Sequence, residues 1–340
     1  MPDHHATPLK FLAPGWFAIV MGWSGLSLAW YRATPLMGDW AGAASMVAAG
    51  VAGLVFALLL VASLVRWRRY PQALAEDLRH PVRHAFVAAV PISLILLATA
   101  GVALTGPGPV LLAVWLVASL LQLGVTVWAL GRWLRDKPEG GLAWPAMTPA
   151  LFIPVVGNVL VPLAGVPLGL PNWSAAQFGI GLLFWPVVLT LLAVRIGVQG
   201  LWPQRLLPTT FITVAPPAVV GLSSLQLGAP VLLAWLAWGC ALFFLLWSAT
   251  VLRRMLSQPF GVPFWGVSFP LAAFAALTLR LADNRVHELA ALAMLALATL
   301  VILTLSLATL KGLRSGELLA PEPVAVLTPA ADAGTSAAPN

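Results

Sequence analysis

Residues 84–130 read HAFVAAVPISLILLATAGVALTGPGPVLLAVWLVASLLQLGVTVWAL, two apolar runs separated by Gly106-Pro107-Gly108-Pro109. Each run is about 20 residues long, the length that a helix needs to cross the hydrocarbon core of a bilayer. Neither run contains an acidic residue, a lysine or an arginine. Because glycine and proline interrupt helices and favour tight turns, the stretch predicts a hairpin of two transmembrane helices.

The composition of the whole chain agrees with a membrane protein. The 340 residues are 60% hydrophobic and 9% charged, whereas soluble domains carry about 25% charged residues. The net charge of +7 does not indicate a nucleic-acid partner, because the basic residues lie between apolar runs, where they determine topology. The single cysteine, Cys240, excludes an internal disulfide and a zinc ribbon. We expect no cofactor and no metal site.

Apolar runs of spanning length recur along the chain and predict an all-α polytopic membrane protein with ten transmembrane helices. We expect a cytoplasmic N-terminal segment at 1–13 and a ten-helix pore domain at 14–311. A disordered cytoplasmic tail is expected at 312–340, because this segment is rich in alanine and proline and has little to bury. The predicted spans are 14–32, 43–65, 84–105, 109–131, 148–169, 174–194, 207–226, 229–252, 262–282 and 287–310.

Basic residues are concentrated on one side of these spans. Of the 18 lysines and arginines, only Arg32, Arg280 and Arg285 fall on the side that also carries the tightest turns. The positive-inside rule therefore places both termini in the cytoplasm. An even number of spans agrees with this orientation, since both termini then lie on the same side.

Proline recurs near the middle of four odd-numbered spans, at Pro91, Pro154, Pro216 and Pro270. Their spacing of 54 to 63 residues matches one helical hairpin with its loops, and such a period is typical of repeat architectures. A proline within a helix removes a backbone hydrogen bond and bends the helix. Broken backbone at membrane depth is tolerated where it is buried in protein or lines a water-filled cavity. We therefore expect the odd spans to surround a pore and the even spans to face lipid, although single prolines are also common in transmembrane helices.

The polar residues of the spans favour a passive path for anions. The span interiors contain no aspartate, glutamate or lysine, and such residues usually carry the protons or cations of coupled pumps. Donors such as Thr210 and Asn158 would then contribute to selectivity. Arg79, Arg83 and Arg205 would give positive potential at the cytoplasmic mouth of the pore, although topology and lipid contact are an alternative role for arginines at such positions.

Several stretches, taken in order, resemble the family of the bacterial tellurite-resistance protein TehA, the plant slow-type anion channels and the yeast malate permease. The resemblance extends over all ten predicted helices. No single motif is specific for this family, but the whole set of motifs in this order is. The stretches are Gly15-Trp16-Phe17, LSLAW at 26–30, His80-Pro81-Val82-Arg83, Phe152-Ile153-Pro154 with Asn158, Val214-Ala215-Pro216, and Phe264-Trp265 with Ser268-Phe269.

This resemblance implies five helical hairpins in a quasi-five-fold ring around a central pore, one pore in each subunit of a homotrimer, in a bacterial inner membrane. It also implies that a phenylalanine of the ninth helix, here Phe269, closes the pore. Two positions depart from the tellurite-resistance protein: Val20 stands where that protein has a proline, and Pro270 where it has a glycine. The expected pore-lining residues are Phe17, Val20, Pro91, Phe152, Pro154, Asn158, Phe211, Pro216 and Pro270.

Three functions remain in competition. The first is a gated channel that passes small inorganic anions through each subunit. The second is a secondary carrier or exporter for C4-dicarboxylates, tellurite or sulfite, which would alternate access instead of opening a path. The third, a membrane-embedded enzyme, is disfavoured because no nucleophile, metal cluster or pair of carboxylates has a workable spacing.

Overall fold

The computed structural model describes residues 8–136 and 141–320. Helices and short 3₁₀ segments make up the architecture, and these described ranges contain no β-strand. Among them, eight helical stretches are long and apolar enough to cross a membrane. They are Asp39–Arg69, Arg83–Thr105, Pro109–Trp133, Pro171–Gln199, Gln204–Gln226, Val231–Ala249, Val262–Leu281 and Arg285–Arg314.

Two of the ten predicted spans are not among these eight stretches. The span predicted at 14–32 is a 3₁₀ turn, Pro14–Phe17, followed by a 20-residue helix, Ala18–Met37, that extends beyond the predicted end. Glycine, serine, tryptophan and Arg32 lower the hydropathy of this helix. The span predicted at 148–169 is the apolar segment Pro149–Gly165, which is shorter than the other spans and is broken into 3₁₀ and α pieces. Both segments nevertheless pack among the eight longer helices.

The α-helices of the described residues are numbered along the chain. They are α1 (Ala18–Met37), α2 (Asp39–Arg69), α3 (Pro71–Arg79), α4 (Ala89–Thr105), α5 (Pro109–Trp133), α6 (Phe152–Val156), α7 (Pro162–Gly165), α8 (Pro171–Gln199), α9 (Ala215–Gln226), α10 (Val231–Ala249), α11 (Leu252–Leu256), α12 (Ser268–Leu281) and α13 (Arg285–Arg314). The predicted tail begins at residue 312, whereas α13 continues to Arg314. The rest of that tail from 321 onward, and residues 1–7, lie outside the described residues.

Helix contacts pair each buried segment with the exposed helix that follows it. The pairs are α1 with α2, α4 with α5, the α6–α7 segment with α8, α9 with α10, and α12 with α13. Four of these hairpins turn at a glycine with positive φ, where a residue with a Cβ would be strained. The turn glycines are Gly38, Gly106, Gly169 and Gly228. The buried segments also contact one another in sequence: α1 with α4, α4 with α7, α7 with α9, α9 with α12, and α12 with α1.

Burial separates the proline-bearing stretches from the others. In the most apolar part of Gln204–Gln226, 89% of the residues are buried, compared with 22% in Asp39–Arg69. The helices α2, α5, α8, α10 and α13 expose leucine and valine side chains over much of their length. Because leucine and valine side chains match acyl chains in polarity, these five helices have the surface expected of helices that face lipid.

The prolines mark a change of helix type instead of a kink within one α-helix. Pro91, Pro154 and Pro270 are each the third residue of an α-helix that follows a 3₁₀ segment, and Pro216 is the second. Proline is well placed there, because the first-turn amides of an α-helix have no acceptor within the helix. Val20 occupies the equivalent third position of α1, so the change of helix type does not require a proline.

Side chains of the neighbouring helices satisfy the backbone groups that these breaks release. Gln122 Nε2 donates to the carbonyl of Pro154 at 3.1 Å, and Thr126 Oγ1 lies 2.7 Å from the same oxygen. Ser223 Oγ donates to the carbonyl of Val159 at 2.6 Å. Since no water is available in hydrocarbon, these bonds are what makes a broken helix tolerable at this depth.

A buried ionic cluster joins α2, α3 and the start of the third span. Asp77 is fully buried, and its carboxylate contacts Arg66 at 2.7 Å and Arg83 at 3.1 Å. Arg66 also donates to the backbone carbonyls of Lys10 and Ala73. The cluster therefore fixes the N-terminal segment and α3 against the end of α2.

Asp77→Asn is expected to destabilise the protein by about 3–5 kcal/mol, because it leaves the buried Arg66 guanidinium without a counter-charge. Thermal unfolding of the purified protein in detergent measures the loss. Glu76→Gln, an exposed position on the same helix, is the matched control and should change stability little. Equal effects of the two substitutions would contradict this role of Asp77.

His80 caps the 3₁₀ segment that leads into α4. Its Nδ1 accepts the backbone N–H groups of Val82 and Arg83, each at 3.1 Å. Partial burial, together with the positive charge of Arg83, lowers the pKa of His80 to about 4. The cap therefore depends on a neutral imidazole.

The free energy of unfolding is expected to decrease as the pH falls from about 6.5 to 4. In this window the unfolded chain binds a proton at His80 that the folded protein does not bind, whereas above it both states are neutral. His80→Asn keeps an acceptor at the cap and removes the titration, so it should flatten this part of the profile. Thermal unfolding from pH 4 to 8 compares the two proteins, and parallel profiles would contradict the assignment.

Candidate functional site

Two cavities lie between the buried helices. The Phe86 cavity, with a volume of about 60 Å³ for water-sized occupants, is lined by apolar residues of all five buried segments, among them Ile92, Phe152 and Pro216. The Arg32 cavity is larger, at about 260 Å³. It lies toward the turns at Gly106 and Gly228, and its lining includes Tyr31, Arg32, Thr99 and Gln226.

A layer of three apolar side chains borders both cavities. Phe269, Leu160 and Val219 each line the Phe86 cavity and the Arg32 cavity. They come from α12, from the end of the 3₁₀ stretch Gly157–Leu160 and from α9. The Phe269 side chain is 7% exposed. These three side chains therefore form a wall that the two cavities share.

The ring of Phe269 rests against a glycine of α1. A Cβ atom added at Gly25 would lie 2.9 Å from Phe269 Cδ2 and 3.1 Å from Ala272 Cβ. Both distances are shorter than ordinary van der Waals contacts, so this position accepts only glycine while the ring stays in place. Small residues at helix crossings allow this close approach in membrane proteins.

The predicted pore-lining residues divide into two groups. Phe152, Pro216 and Pro270 line the Phe86 cavity, and Phe269 lines both cavities. The remaining predicted residues line neither cavity and are buried between helices. They are Phe17, Val20, Pro91, Pro154, Asn158 and Phe211.

Contacts with other parts of the protein account for the burial of this second group. The ring of Phe17 packs edge-on against Phe56 of α2, with 5.7 Å between ring centroids. Asn158 Nδ2 donates to Thr126 Oγ1 at 2.8 Å, and Thr210 Oγ1 accepts from Trp202 Nε1 at 3.2 Å. The amide donor of Asn158 is thus engaged with α5 and with the carbonyl of Val155, whereas the hydroxyl of Thr210 acts here as an acceptor.

The three arginines predicted at the pore mouth line neither cavity. Arg83 is paired with Asp77, which offsets its positive charge. Arg79, the last residue of α3, and Arg205, near the start of a 3₁₀ segment, are both exposed. Their contribution to the potential at an entrance would therefore be made at a distance and through solvent.

The structure places Arg32 in the lining of a cavity, whereas in the sequence this residue entered only the count of charges on each side of the membrane. Among the described residues that line the Arg32 cavity, Arg32 alone is charged. Nothing in the described part of the chain forms an ion pair with it. The sequence did contain a feature that could have singled out Arg32, namely an arginine within an otherwise apolar helix. Charged residues in such positions are costly in a membrane and are usually functional.

Comparison with known proteins assigns this arrangement to a family. The profile of the family described as voltage-dependent anion channel matches residues 12–310. The chain belongs to the voltage-dependent anion channel family. This confirms the resemblance seen in the sequence, and the match includes all five buried segments and both cavities.

Several individual proteins are also similar to this chain, at lower coverage than the family profile. The S-type anion channel SLAH2 of Arabidopsis thaliana is 29% identical over 218 residues, which are 63% of this chain and 41% of that protein. This chain thus matches about two-fifths of SLAH2. An uncharacterized transporter of Methanocaldococcus jannaschii is 23% identical over 308 residues, 79% of this chain and 84% of its own. A tellurite resistance protein TehA homolog of Haemophilus influenzae is 27% identical over 271 residues, 78% and 79% of the two chains.

Membership in this family supports an anion channel or transporter in a membrane. The family is one of channels and transporters and not of enzymes. The apolar helices and the two cavities are compatible with this assignment, because they provide both a lipid-facing surface and enclosed space between the buried helices.

Gly25→Ala is expected to destabilise the protein by about 1–3 kcal/mol, the usual cost of overpacking a tight contact. In a Phe269→Ala background the penalty should shrink, because the ring that the new methyl group meets is gone. A double-mutant cycle on thermal unfolding measures this coupling. Gly53→Ala is the control, since a Cβ at that position of α2 meets no atom within 4 Å. A penalty at Gly25 that does not depend on Phe269 would contradict the contact.

Proposed function

We propose that the protein is a gated anion channel, with a passive path through each subunit that Phe269 closes. The observation that carries this proposal is the shared lining of the two cavities. Phe269, Leu160 and Val219 lie between the Phe86 cavity and the Arg32 cavity. If the phenyl ring moves, the two spaces join into one path.

The helix contacts support a ring of five hairpins around that path. Each buried segment contacts the next, and the last, α12, contacts α1 again. Five segments connected in a closed series leave an axis between them, and both cavities are lined by members of this series. In this proposal α1 and the segment Pro149–Gly165 are transmembrane elements, which gives ten spans in total.

An apolar constriction would close the path to ions even if the side chains did not fill it completely. Hydrophobic constrictions stop ions by excluding the water that an ion carries with it. The Phe86 cavity offers no charged lining residue among those described, so a bare anion inside it would lose hydration without gaining a partner. Opening requires the ring to leave the layer, which a change of side-chain rotamer and a small shift at α12 would accomplish.

A secondary carrier is the alternative that the same geometry supports. A carrier binds its substrate near the bilayer midplane and opens that site to one side at a time, and the Arg32 cavity, closed toward the Phe86 cavity by one layer, could serve as such a site. The similar proteins include a tellurite resistance homolog and an uncharacterized transporter, so C4-dicarboxylates, tellurite or sulfite remain candidate substrates under this alternative. Strict exchange, with no net current, would identify a carrier.

Orientation and assembly complete the proposal. The side of the molecule that carries Arg66, Arg83 and Arg132 is basic, and the positive-inside rule places that side in the cytoplasm together with both termini. The proposed location is a bacterial inner membrane. The proposed assembly is a homotrimer with one pore in each subunit, which follows from the family resemblance alone.

Phe269→Ala is expected to increase anion flux at least about tenfold, because it removes the ring that keeps the constriction dry. Efflux of chloride, nitrate and malate from proteoliposomes, together with currents across planar bilayers, measures the effect. Wild-type protein should conduct little under the same conditions. A channel passes current that follows the anion gradient, whereas a carrier does not produce unitary currents.

Phe274→Ala is the matched control for this experiment. Phe274 lies on the same helix, is 1% exposed and packs against Trp238 with 5.7 Å between ring centroids, but it lines neither cavity. Both truncations should lower the unfolding temperature, since each removes a buried ring. Only Phe269→Ala should raise flux. Similar flux from both variants, or from neither, would contradict the gate.

A further inference from the structure

We propose that Arg32 forms a binding site for one small monovalent anion, a carboxylate above all, in the cavity on the far side of Phe269 from the cytoplasm. The inference rests on the proposed function, because it assigns the anion a position on that path. The Arg32 side chain lines a cavity of about 260 Å³ that Phe269 also lines. An anion held by Arg32 would therefore wait in the chamber directly behind the gate.

The lack of a counter-charge is the first argument. In residues 8–136 and 141–320 no aspartate or glutamate pairs with Arg32, and the cavity has no acidic lining residue among those described. Buried Arg66 contacts Asp77, whereas buried Arg195 has no acidic partner among the described residues and donates to the carbonyl of Met147 at 3.1 Å. Arg32 differs from both because it lines a cavity. A charged side chain that faces enclosed space without a partner is the arrangement that a bound anion would complete.

The chemistry of the lining limits the ligand to a single negative charge. Arg32 supplies one positive charge, and the remaining surface is apolar apart from Tyr31, Thr99 and Gln226. Thr99 Oγ1 already donates its proton to the carbonyl of Ile95 at 2.7 Å, so it offers only lone pairs to the cavity. Arg280 lies near Arg32 but is exposed and does not line the cavity. A second negative charge inside the cavity would therefore have no counterpart in its lining and would be costly to desolvate. A C4-dicarboxylate is therefore a poorer fit than a monocarboxylate.

Guanidinium geometry favours a carboxylate over a spherical halide. The planar fork of arginine donates two parallel hydrogen bonds to a carboxylate, whereas a halide accepts them less well. The volume of the cavity exceeds the roughly 30 Å³ that one water molecule occupies in the liquid several-fold, so a small carboxylate fits together with part of its hydration. Formate and chloride are accordingly the two probes that distinguish fork recognition from simple charge attraction.

Transport measurements in the conducting Phe269→Ala protein test the site. Arg32→Gln should raise the half-saturating formate concentration, applied from the side of the Arg32 cavity, by about tenfold or more, because charge-assisted hydrogen bonds are lost. Arg32→Lys keeps the charge and loses the fork, so chloride should saturate near the parent concentration while formate should not. Arg285→Gln, an exposed arginine on the same side, controls for surface charge.

Binding without transport separates this proposal from the gate. Formate should raise the unfolding temperature of detergent-solubilised wild-type protein, since a ligand of the folded state stabilises it, and this rise should persist in Arg285→Gln and disappear in Arg32→Gln. If Phe269→Ala fails to conduct but this stabilisation still depends on Arg32, the gate is wrong and the anion site stands. The opposite result excludes the site. In that case Phe269→Ala conducts, but Arg32→Gln and Arg32→Lys change neither the half-saturating formate concentration nor the stabilisation by formate. Arg32 would then only neutralise helix C-termini.

Discussion

A backbone group at the depth of the hydrocarbon core has no water to bond with, so every break in a transmembrane helix must be satisfied by the protein itself. All five buried segments change from 3₁₀ to α partway along their length, and each change releases carbonyl groups. The exposed helix α5 bonds to the α6–α7 segment: Gln122 and Thr126 contact the carbonyl of Pro154, and Trp115 adds a second donor to the carbonyl of Val161, which also accepts the N–H of Gly165. The pairing of a buried segment with its exposed neighbour is thus a hydrogen-bonding requirement as well as a packing arrangement.

This requirement determines which polar side chains remain for function. Hydroxyl and amide groups of the buried segments, such as those of Ser93, Asn158 and Ser223, bond to backbone or to neighbouring side chains. These donor groups are therefore committed to the protein, whereas Ser24 Oγ and Asn158 Oδ1 have no partner among the described residues. What lines the Phe86 cavity is apolar in consequence. Any positive charge that meets an anion between the helices has to come from outside this set, and Arg32 is such a residue.

The features that follow from residue spacing and composition could be predicted from the sequence. Those that depend on how closely two helices pack, and through which faces, could not. The proline repeat identified four of the five buried segments, all except α1, and the turn at Gly106 marked a hairpin that the structure confirms. The repeat did not reveal that Pro91 lies in the first turn of an α-helix that follows a 3₁₀ segment, because a kinked helix and a change of helix type both place proline in mid-span. The bond between Asn158 and Thr126 was not foreseen either, since one-dimensional spacing does not say which face of a helix meets its neighbour. Gly25 and Arg32 became informative only once their distances to Phe269 and to the cavity were known.

The position of Arg32 relative to Phe269 makes the two sides of the path different for an approaching anion. An anion that approaches from the Phe86 cavity meets apolar side chains on every described side, whereas one that approaches from the opposite side meets an unpaired guanidinium before it reaches the ring. In a medium of low effective dielectric constant, a nearby opposite charge changes the energy of an ion far more than it does in water. The two sides of the constriction therefore differ in how long an anion stays next to the ring, even though the ring itself is symmetric. The proposed channel thus separates two tasks: the apolar layer would prevent leakage, and the charge set back from it would concentrate the ion without holding it inside the layer.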